Sequence, residues 1–348
     1  MKRYFTLIFL LSGLFFLACS KKSDTTTPTG PIIIDHPSTV NTIAGSGAQG
    51  FADGTKTQAS FNQPTGVVVS NLGFLLVADK QNNRIRFITP YGVVTTIAGT
   101  GARGFSNKKD SSTFSSPSGV GVDAAGNVYV ADLGNLAIRK IDIQGAVTTF
   151  DTGLNGPTGV ASDAAGNVYI ADNGNSVIIK VTNKGVVSTL AGTQGVRGSR
   201  DGTGTSAQFN QPQSVSVDSS GNVYVADAGN NLIRKIDSQG VVTTIAGNTT
   251  AGNQNGVGTA ASFNRPTGVA VDAGGNIYVA DSNNNLIRKI ATDGKVTTLA
   301  GTGTAGNLDG TTAVATFNNP QGVAIDLVGR IVVADTGNGL IRIIQQSE

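Results

Sequence analysis

Aspartate is the residue type with which this chain could do chemistry. Among 348 residues there is one histidine, His36, one cysteine, Cys19, and one glutamate, Glu348, the last residue. General acid–base work falls most often to His, Glu or Asp, and zinc sites lean on His and Cys. A catalytic or metal set would therefore have to be assembled from aspartates and amides. Those aspartates are periodic. Asp79, Asp132, Asp172, Asp227, Asp281 and Asp335 each end an apolar run, and asparagine follows three places later at Asn82, Asn135, Asn175, Asn230, Asn284 and Asn338. Asp123, Asp163, Asp218, Asp272 and Asp326 end the run before, Asp53, Asp110, Asp201 and Asp309 recur in long polar segments, and Asp142, Asp237 and Asp293 recur in a further turn. Only Asp24, Asp35 and Asp151 stand outside the pattern. A catalytic acid should break a repeat's symmetry. The repeated D-x-x-N reads instead as a turn in which Asp caps backbone N–H groups and Asn accepts the left-handed conformation. A ring of cation ligands is its functional alternative.

The elements that hold these residues are short strands. "GNVYVAD" stands at 126–132 and again at 221–227, with close copies at 166–172 and 275–281 and looser ones ending at Asp79 and Asp335. One full unit, "RPTGVAVDAGGNIYVADSNNNLIRKIATDGKVTTLAG" at 265–301, contains four strands, and its "DAGG" suits a type I turn. Strands this short and this apolar need cover on both faces. A six-bladed β-propeller of four-stranded antiparallel blades supplies it, so the expected fold class is all-β. The fourth-strand motif "VTTIAG" or a variant begins at Val40, Val94, Val147, Val187, Val242 and Val296; the first copy precedes any blade, and the last blade stops after "LIRII" at 340–344. The N-terminal strand is expected to complete that last blade and leave no open edge. Arg86, Arg139, Arg234, Arg288 and Arg342 recur in the third strand, with Ile179 in the remaining blade, and an interblade salt bridge to the aspartates is expected. Phe61, Phe114, Phe209, Phe263 and Phe317 are expected to plug the gaps between blades.

The N-terminus, "MKRYFTLIFLLSGLFFLACS", carries two basic residues and an apolar run too short for a confident membrane span, so 1–18 reads as a signal peptide. Its end resembles the lipobox of bacterial lipoproteins, with Cys19 the lipidated residue, although Phe16 stands where leucine is usual. Ser20 rather than aspartate points to the outer membrane of a Gram-negative cell. Residues 19–37, with "KKSDTTTPTGP", read as a flexible tether, and 38–348 as the propeller. With one cysteine in the chain, no intramolecular disulfide can form. Removing 1–18 leaves 23 basic against 22 acidic residues, so the charge gives no argument for nucleic acid.

"FNxPxGVAVDxxGNVYVADxxNxxIRKI" followed by "VTTIAGxGxxGxxDG" resembles the NHL repeat, across roughly 40–344. The resemblance implies the propeller. It leaves activity open, because that fold hosts RNA binders, sensor domains and enzymes alike. The peptide-amidating lyase that resembles this fold uses histidine-bound zinc, gluconolactonase-type enzymes use a glutamate among their metal ligands, and streptogramin lyases use histidine; none of these sets can be assembled here.

In a propeller the interblade loops and the turns between second and third strands lie on one face. Five of the interblade connections are long, while the one at 151–157 shrinks to "DTGLNGP". Binding concentrates in loops carried on a rigid scaffold, so the residues that depart from the repeat are the candidates: Phe51, Arg103, Phe105, Lys108, Lys109, Arg197, Arg200 and Arg265. Thr65, Ser118, Thr158, Gln213, Thr267 and Gln321 would surround the axis, where a small polar ligand or an oxygen-liking ion such as calcium could sit; no other cofactor is implied. The expectation is a monomeric, non-catalytic, extracytoplasmic module, attached to membrane only through Cys19, that recognises a protein or peptide. Its alternatives are a cell-surface glycan binder, which the absence of tryptophan disfavours, and a metal-dependent lyase or lactonase.

Overall fold

Each repeat folds as an antiparallel sheet because its turns are written into it. In the computed structural model, which describes residues 37–347, the first hairpin turn closes with the Gly126 N–H donating to the Asp123 carbonyl at 3.0 Å, and Gly126 sits at φ +88°. The Asp123 carboxylate accepts from the backbone and side-chain nitrogens of Asn127, both at 2.8 Å, and so locks the turn. The signal peptide, Cys19, the tether with His36, and Glu348 lie outside the described residues.

Six sheets result. We number the blades 1 to 6 in chain order, as residues 64–98, 117–151, 157–191, 212–246, 266–300 and, for blade 6, 322–345 with 39–44. In blade 1 the strands are Pro64–Val69, Leu75–Asp79, Arg84–Ile88 and Val93–Ala98, paired in that order. The outermost strand of blade 6 is Thr39–Ala44, paired antiparallel with Leu340–Gln345 in the register Val40 to Ile344 and Thr42 to Arg342. Blades 1, 4, 5 and 6 carry a fifth strand of two residues, Gly54–Thr55, Gly202–Thr203, Gly256–Val257 and Gly310–Thr311, on the outer edge. Each of these comes from the loop that precedes its blade. The loops therefore run down the outer edge before returning to the propeller face, and do not simply pile up on that face.

All five residues of every second strand are buried, from Leu75–Asp79 in blade 1 to Ile331–Asp335 in blade 6. A strand with neighbours on both faces reads as a continuous apolar run. The core is divided among the six seams. Phe61 fills the seam between blades 6 and 1, against Ile341 and Val77, and Phe114, Phe209, Phe263 and Phe317 fill four more. Leu154 takes that place between blades 2 and 3. Near the axis the inner strands approach backbone to backbone. A Cβ on Gly66 would stand 2.6 Å from the Ser118 carbonyl and one on Gly159 2.7 Å from that of Gln213, while Gly322 meets the Thr65 carbonyl in the same way. Glycine at this position lets the ring close tightly.

The turn between second and third strands differs from expectation by one residue. Lys80–Asn82 and its counterparts in blades 2, 4, 5 and 6 each form a single 3₁₀ turn, blade 3 forms a plain turn over 173–176, and in every blade the left-handed residue is the one after the asparagine: Asn83, Leu136, Ser176, Asn231, Asn285 or Gly339. Leu136 is thus held at φ +54° with a side chain 45% exposed, a conformation disfavoured for a γ-branched residue with no polar group to compensate. Leu136→Asn is expected to stabilise the ring by about 1 kcal/mol, read as a higher midpoint in thermal unfolding; an unchanged or lower midpoint would show that no strain resides there.

Candidate binding face and axial cavity

The Asp and Asn of each turn meet an arginine of the same blade. Asp79 Oδ1 accepts from the Asn62 N–H at 2.8 Å, and Oδ2 accepts from Asn82 Nδ2 at 2.8 Å and Arg86 Nη1 at 2.7 Å. Arg86 also donates to the Ser60 and Ala52 carbonyls and to Asp53, all in the loop before the blade. Both partners of the central pair are fully buried. The expected bridge between blades is thus an ion pair within one blade, repeated as Arg139–Asp132, Arg234–Asp227, Arg288–Asp281 and Arg342–Asp335. Register explains it: Asp79 ends the second strand, Arg86 pairs with Val77 of that strand, and the side chains meet over the loop. The asparagines act through their amides. Asn82 Nδ2 donates to the Gly50 carbonyl as well, and Asn135, Asn230, Asn284 and Asn338 donate to the equivalent loop carbonyl. Burial raises the Asp79 carboxyl pKa, against the pull of Asn82, the Asn62 N–H and Arg86.

Blade 3 lacks the guanidinium. Asp172, 1% exposed, keeps Asn155 N–H and Asn175 as donors, but Ile179 stands where arginine stands elsewhere. Desolvation raises its pKa, Asn175 and the Asn155 N–H oppose the rise, and Asp151 adds to it. Asp151, which occupies the place of Ala98 in the repeat, accepts from the Thr152 N–H through Oδ1, while its buried Oδ2 has no partner. Burial raises its pKa too.

The sequence-derived candidates do not form one patch. Phe51 and Phe105 lie on arginines. The Arg84 guanidinium stands 3.6 Å from the Phe51 ring centre, and Arg86 sits between Phe51 and Phe61 at 4.9 and 5.0 Å. Arg139 is likewise held between Phe105 and Phe114 at 4.6 and 5.2 Å. Arg103 and Arg197 are exposed and pair in short bridges with the backbone beside Phe114 and Phe209, in the loops before blades 2 and 4. Lys108 and Lys109 follow the Asn107 that contacts Arg139 and Thr149, and Arg200 precedes the Asp201 that contacts Arg234 and Thr244, so these three lie along the outer edges. Arg265 alone of the eight lines the axial cavity.

That cavity has a volume of about 660 Å³ and is bounded by the inner strands of all six blades. Around it, hydroxyls staple each inner strand to the next. Thr65 Oγ1 donates to the Ser118 carbonyl at 2.8 Å, Ser118 to Thr158 at 3.0 Å, Thr158 to Pro212 at 3.1 Å and Thr267 to Gln321 at 3.0 Å. Gln213 and Gln321 occupy the two remaining positions, and their amides make no hydrogen bond among the described residues. At the turn position beside the mouth, Asn173, Ser282 and Thr336 donate to the Pro212, Pro320 and Pro64 carbonyls. Lys80 holds this position in blade 1 without a partner among the described residues, and burial lowers its pKa. Among the described residues no carboxylate lines the cavity, so an oxygen-liking cation would meet only neutral oxygens there, opposite two cationic side chains. Among the described residues no three His, Cys, Asp or Glu side chains gather as a metal site. The arrangement suits binding. Sequence reasoning passed over Lys80, whose signal was its charge, since its counterparts Leu133, Asn173, Ala228, Ser282 and Thr336 are all uncharged.

The blade 3 acids give a pH test. Both take up protons more readily in the folded ring than in the unfolded chain, so they support the fold in acid and that support is lost as pH rises above the ordinary carboxylate range. Asp151→Asn is therefore expected to raise the unfolding midpoint at about pH 7 and to leave it unchanged below about pH 4. A gain of equal size at both pH values would remove charge as its cause.

Six matches to the NHL repeat model cover 61–86, 114–141, 154–179, 209–236, 263–290 and 317–344. The chain is 32% identical over 320 residues to Protein SUPPRESSOR OF QUENCHING 1, chloroplastic, of Arabidopsis thaliana, a match that covers 87% of this chain and 27% of that one. It spans well under half the length of the curated relatives it matches. Among solved structures, a protein of unknown function from Bacteroides thetaiotaomicron superposes with a TM-score of 0.72 at 24% identity, over 89% of this chain and 76% of that one. An auxiliary nutrient binding protein of the same organism superposes with a TM-score of 0.71 at 18% identity, over 89% and 77%. These likenesses rest on one architecture, and the six matches fall one to a blade: the chain is a six-bladed β-propeller of NHL repeats.

Proposed function

We propose that this propeller is a non-catalytic binding module which recognises a protein or peptide partner through its loop-bearing face. One observation carries the reading: an excess of carboxylates on the face opposite the loops, against unpaired cations on the loop face. Strand direction places Asp123, Asp163, Asp218, Asp272 and Asp326, with the turns at Asp142, Asp237 and Asp293, on the face opposite the loops. On the loop face the aspartates at the strand ends are buried against arginine in five blades, whereas Lys80, Arg103, Arg197 and Arg265 have no carboxylate partner among the described residues. Such a face favours an acidic partner and speeds its approach. The nutrient binding protein among the structural neighbours is consistent with a ligand-binding use of the same architecture.

A glycan partner has less to rest on. Tyr129, Tyr169, Tyr224 and Tyr278 are buried in the seams, with hydroxyls turned to aspartates, and the Asp123 and Asp218 contacts help to push the Tyr129 and Tyr224 pKa values up to about 12 after burial itself. Phe51 and Phe105 are occupied by arginine. In this proposal a lipid on Cys19 holds the module at the outer membrane of a Gram-negative cell.

Two measurements check the proposal. Partners captured on the immobilised full-length chain are expected to bind at least about tenfold more weakly to Arg103→Glu/Arg197→Glu, in line with the cost of opposing charges at an interface; undiminished binding would refute this face. Metabolic labelling with a radioactive fatty acid should mark the wild-type chain and leave Cys19→Ala unmarked, and equal labelling of the two would refute the anchor.

A further inference from the structure

In a sixfold repeat, whatever the fold needs appears six times or nearly so, and departures mark positions free for another use. Around the axial mouth the departures that bring an uncommitted polar group are not scattered. Gln213 belongs to blade 4, Arg265 leads into blade 5, Gln321 leads into blade 6 and Lys80 belongs to blade 1, so all four fall on four consecutive blades of the six. Other polar side chains of the mouth, Ser118, Thr158 and Asn173 as well as Thr65, Thr267, Ser282 and Thr336, spend their polar groups on the neighbouring inner strand. None of the four does so. Their side chains have no hydrogen bond and no ion pair among the described residues, although all four line the same cavity of about 660 Å³.

The positions are also fixed. The Arg265 backbone is held at φ +53°, and its N–H donates to Asn231 Oδ1 of the preceding blade at 2.8 Å. The Gln321 N–H donates to the Ala334 carbonyl at 3.0 Å, and its carbonyl accepts from Thr267. Lys80 opens a 3₁₀ turn anchored by the buried Asp79–Arg86 pair. Because the backbone beneath these side chains is already fixed, the ordering cost of binding falls on the side chains alone.

Resting on the binding reading above, we infer that this arc of the axial mouth is a carboxylate site: Lys80 and Arg265 neutralise the anion, and the amides of Gln213 and Gln321 hydrogen-bond the polar group that carries it. Among the described residues no Asp or Glu lines the cavity, which gives the field one sign. An arriving anion also relieves the desolvation that Lys80 suffers at the mouth. Amides donate and accept, which suits a ligand with hydroxyls or peptide groups next to its carboxylate. The inner strands contribute their unpaired edges, so the wall beyond the mouth is largely backbone N–H and C=O. The volume matches the range of small-ligand sites, about 300 to 1,000 Å³. Two sources carry this chemistry: the free C-terminus of a peptide and a sugar acid.

Calorimetric titration of the full-length chain separates them. Tetra-alanine is compared with its C-terminal amide, and galacturonate with galactose. The free acid of at least one pair is expected to bind at least about tenfold tighter than its neutral counterpart, the scale of a hydrogen-bonded charge. Tetra-alanine alone would identify a peptide end, and galacturonate alone a sugar acid. Lys80→Gln and Arg265→Gln should each weaken the acid about tenfold or more. Gln213→Thr and Gln321→Thr, which restore the hydroxyl found in other blades, should weaken it without lowering the unfolding midpoint. Equal affinity for acid and neutral forms, no binding by any of the four compounds, or full affinity in both the Lys80 and Arg265 variants would overturn the site. If partner capture still depended on Arg103 and Arg197 while no acid bound, the inference would fail and the binding face would stand.

Discussion

The loops of this protein are held in place by buried guanidinium groups. A connection of some twenty residues with almost no regular structure leaves carbonyls that must find donors when the loop packs against a blade. Arg86 meets that need at Ser60 and Ala52 while neutralising Asp79, and Arg139, Arg234, Arg288 and Arg342 do the same in their blades. The fork of the guanidinium is what makes this possible, since its two terminal nitrogens point to different strands of the loop. The ring behind it is a stack of apolar sheets. The guanidinium turns the irregular chain over those sheets into a surface with one shape.

Where that tie is missing, the composition around it changes as well. Blade 3 has Ile179 in place of arginine, Leu154 in place of the phenylalanine on which the arginine would lie, and a loop too short to supply the second acid. These are one difference expressed at three positions: without the cation there is no carbonyl-rich loop to hold. Asp172 remains from the repeat and Asp151 has replaced an alanine, which leaves two partly compensated carboxylates in the seam between blades 2 and 3.

The number of blades, their strands and the phenylalanines in the seams were legible in the sequence because they rest on local signals that recur: period, turn residues and apolar runs. The partner of each arginine was not. The spacing of Asp79 and Arg86 states that an acid and a base recur, but which side of a seam they share depends on strand register and on a loop that no local rule describes. The left-handed position was closer to hand, since Asn83, Asn231, Asn285 and Gly339 are residue types that favour it; the asparagine one place earlier masked it. The two-residue outer strands escaped notice because "DGT" and "NGV" read as turn rather than strand, and what pairs them is the edge of Val93–Ala98 and its counterparts. At the axial mouth the residue types were visible. Their meaning depended on knowing which hydroxyls were already committed to a neighbour.

The pairing of Thr39–Ala44 with Leu340–Gln345 also sets the order of assembly. Five blades can form as hairpins from consecutive sequence, but the sixth unites the two most distant parts of the propeller and cannot form before its third strand exists. A chain still being synthesised is an open arc, with apolar seam surface bare at both ends. Contacts between remote segments form slowly because the intervening chain must first be brought round. During that interval the two bare ends can adhere to other chains, so the hazard of misassembly is concentrated in the last step of folding.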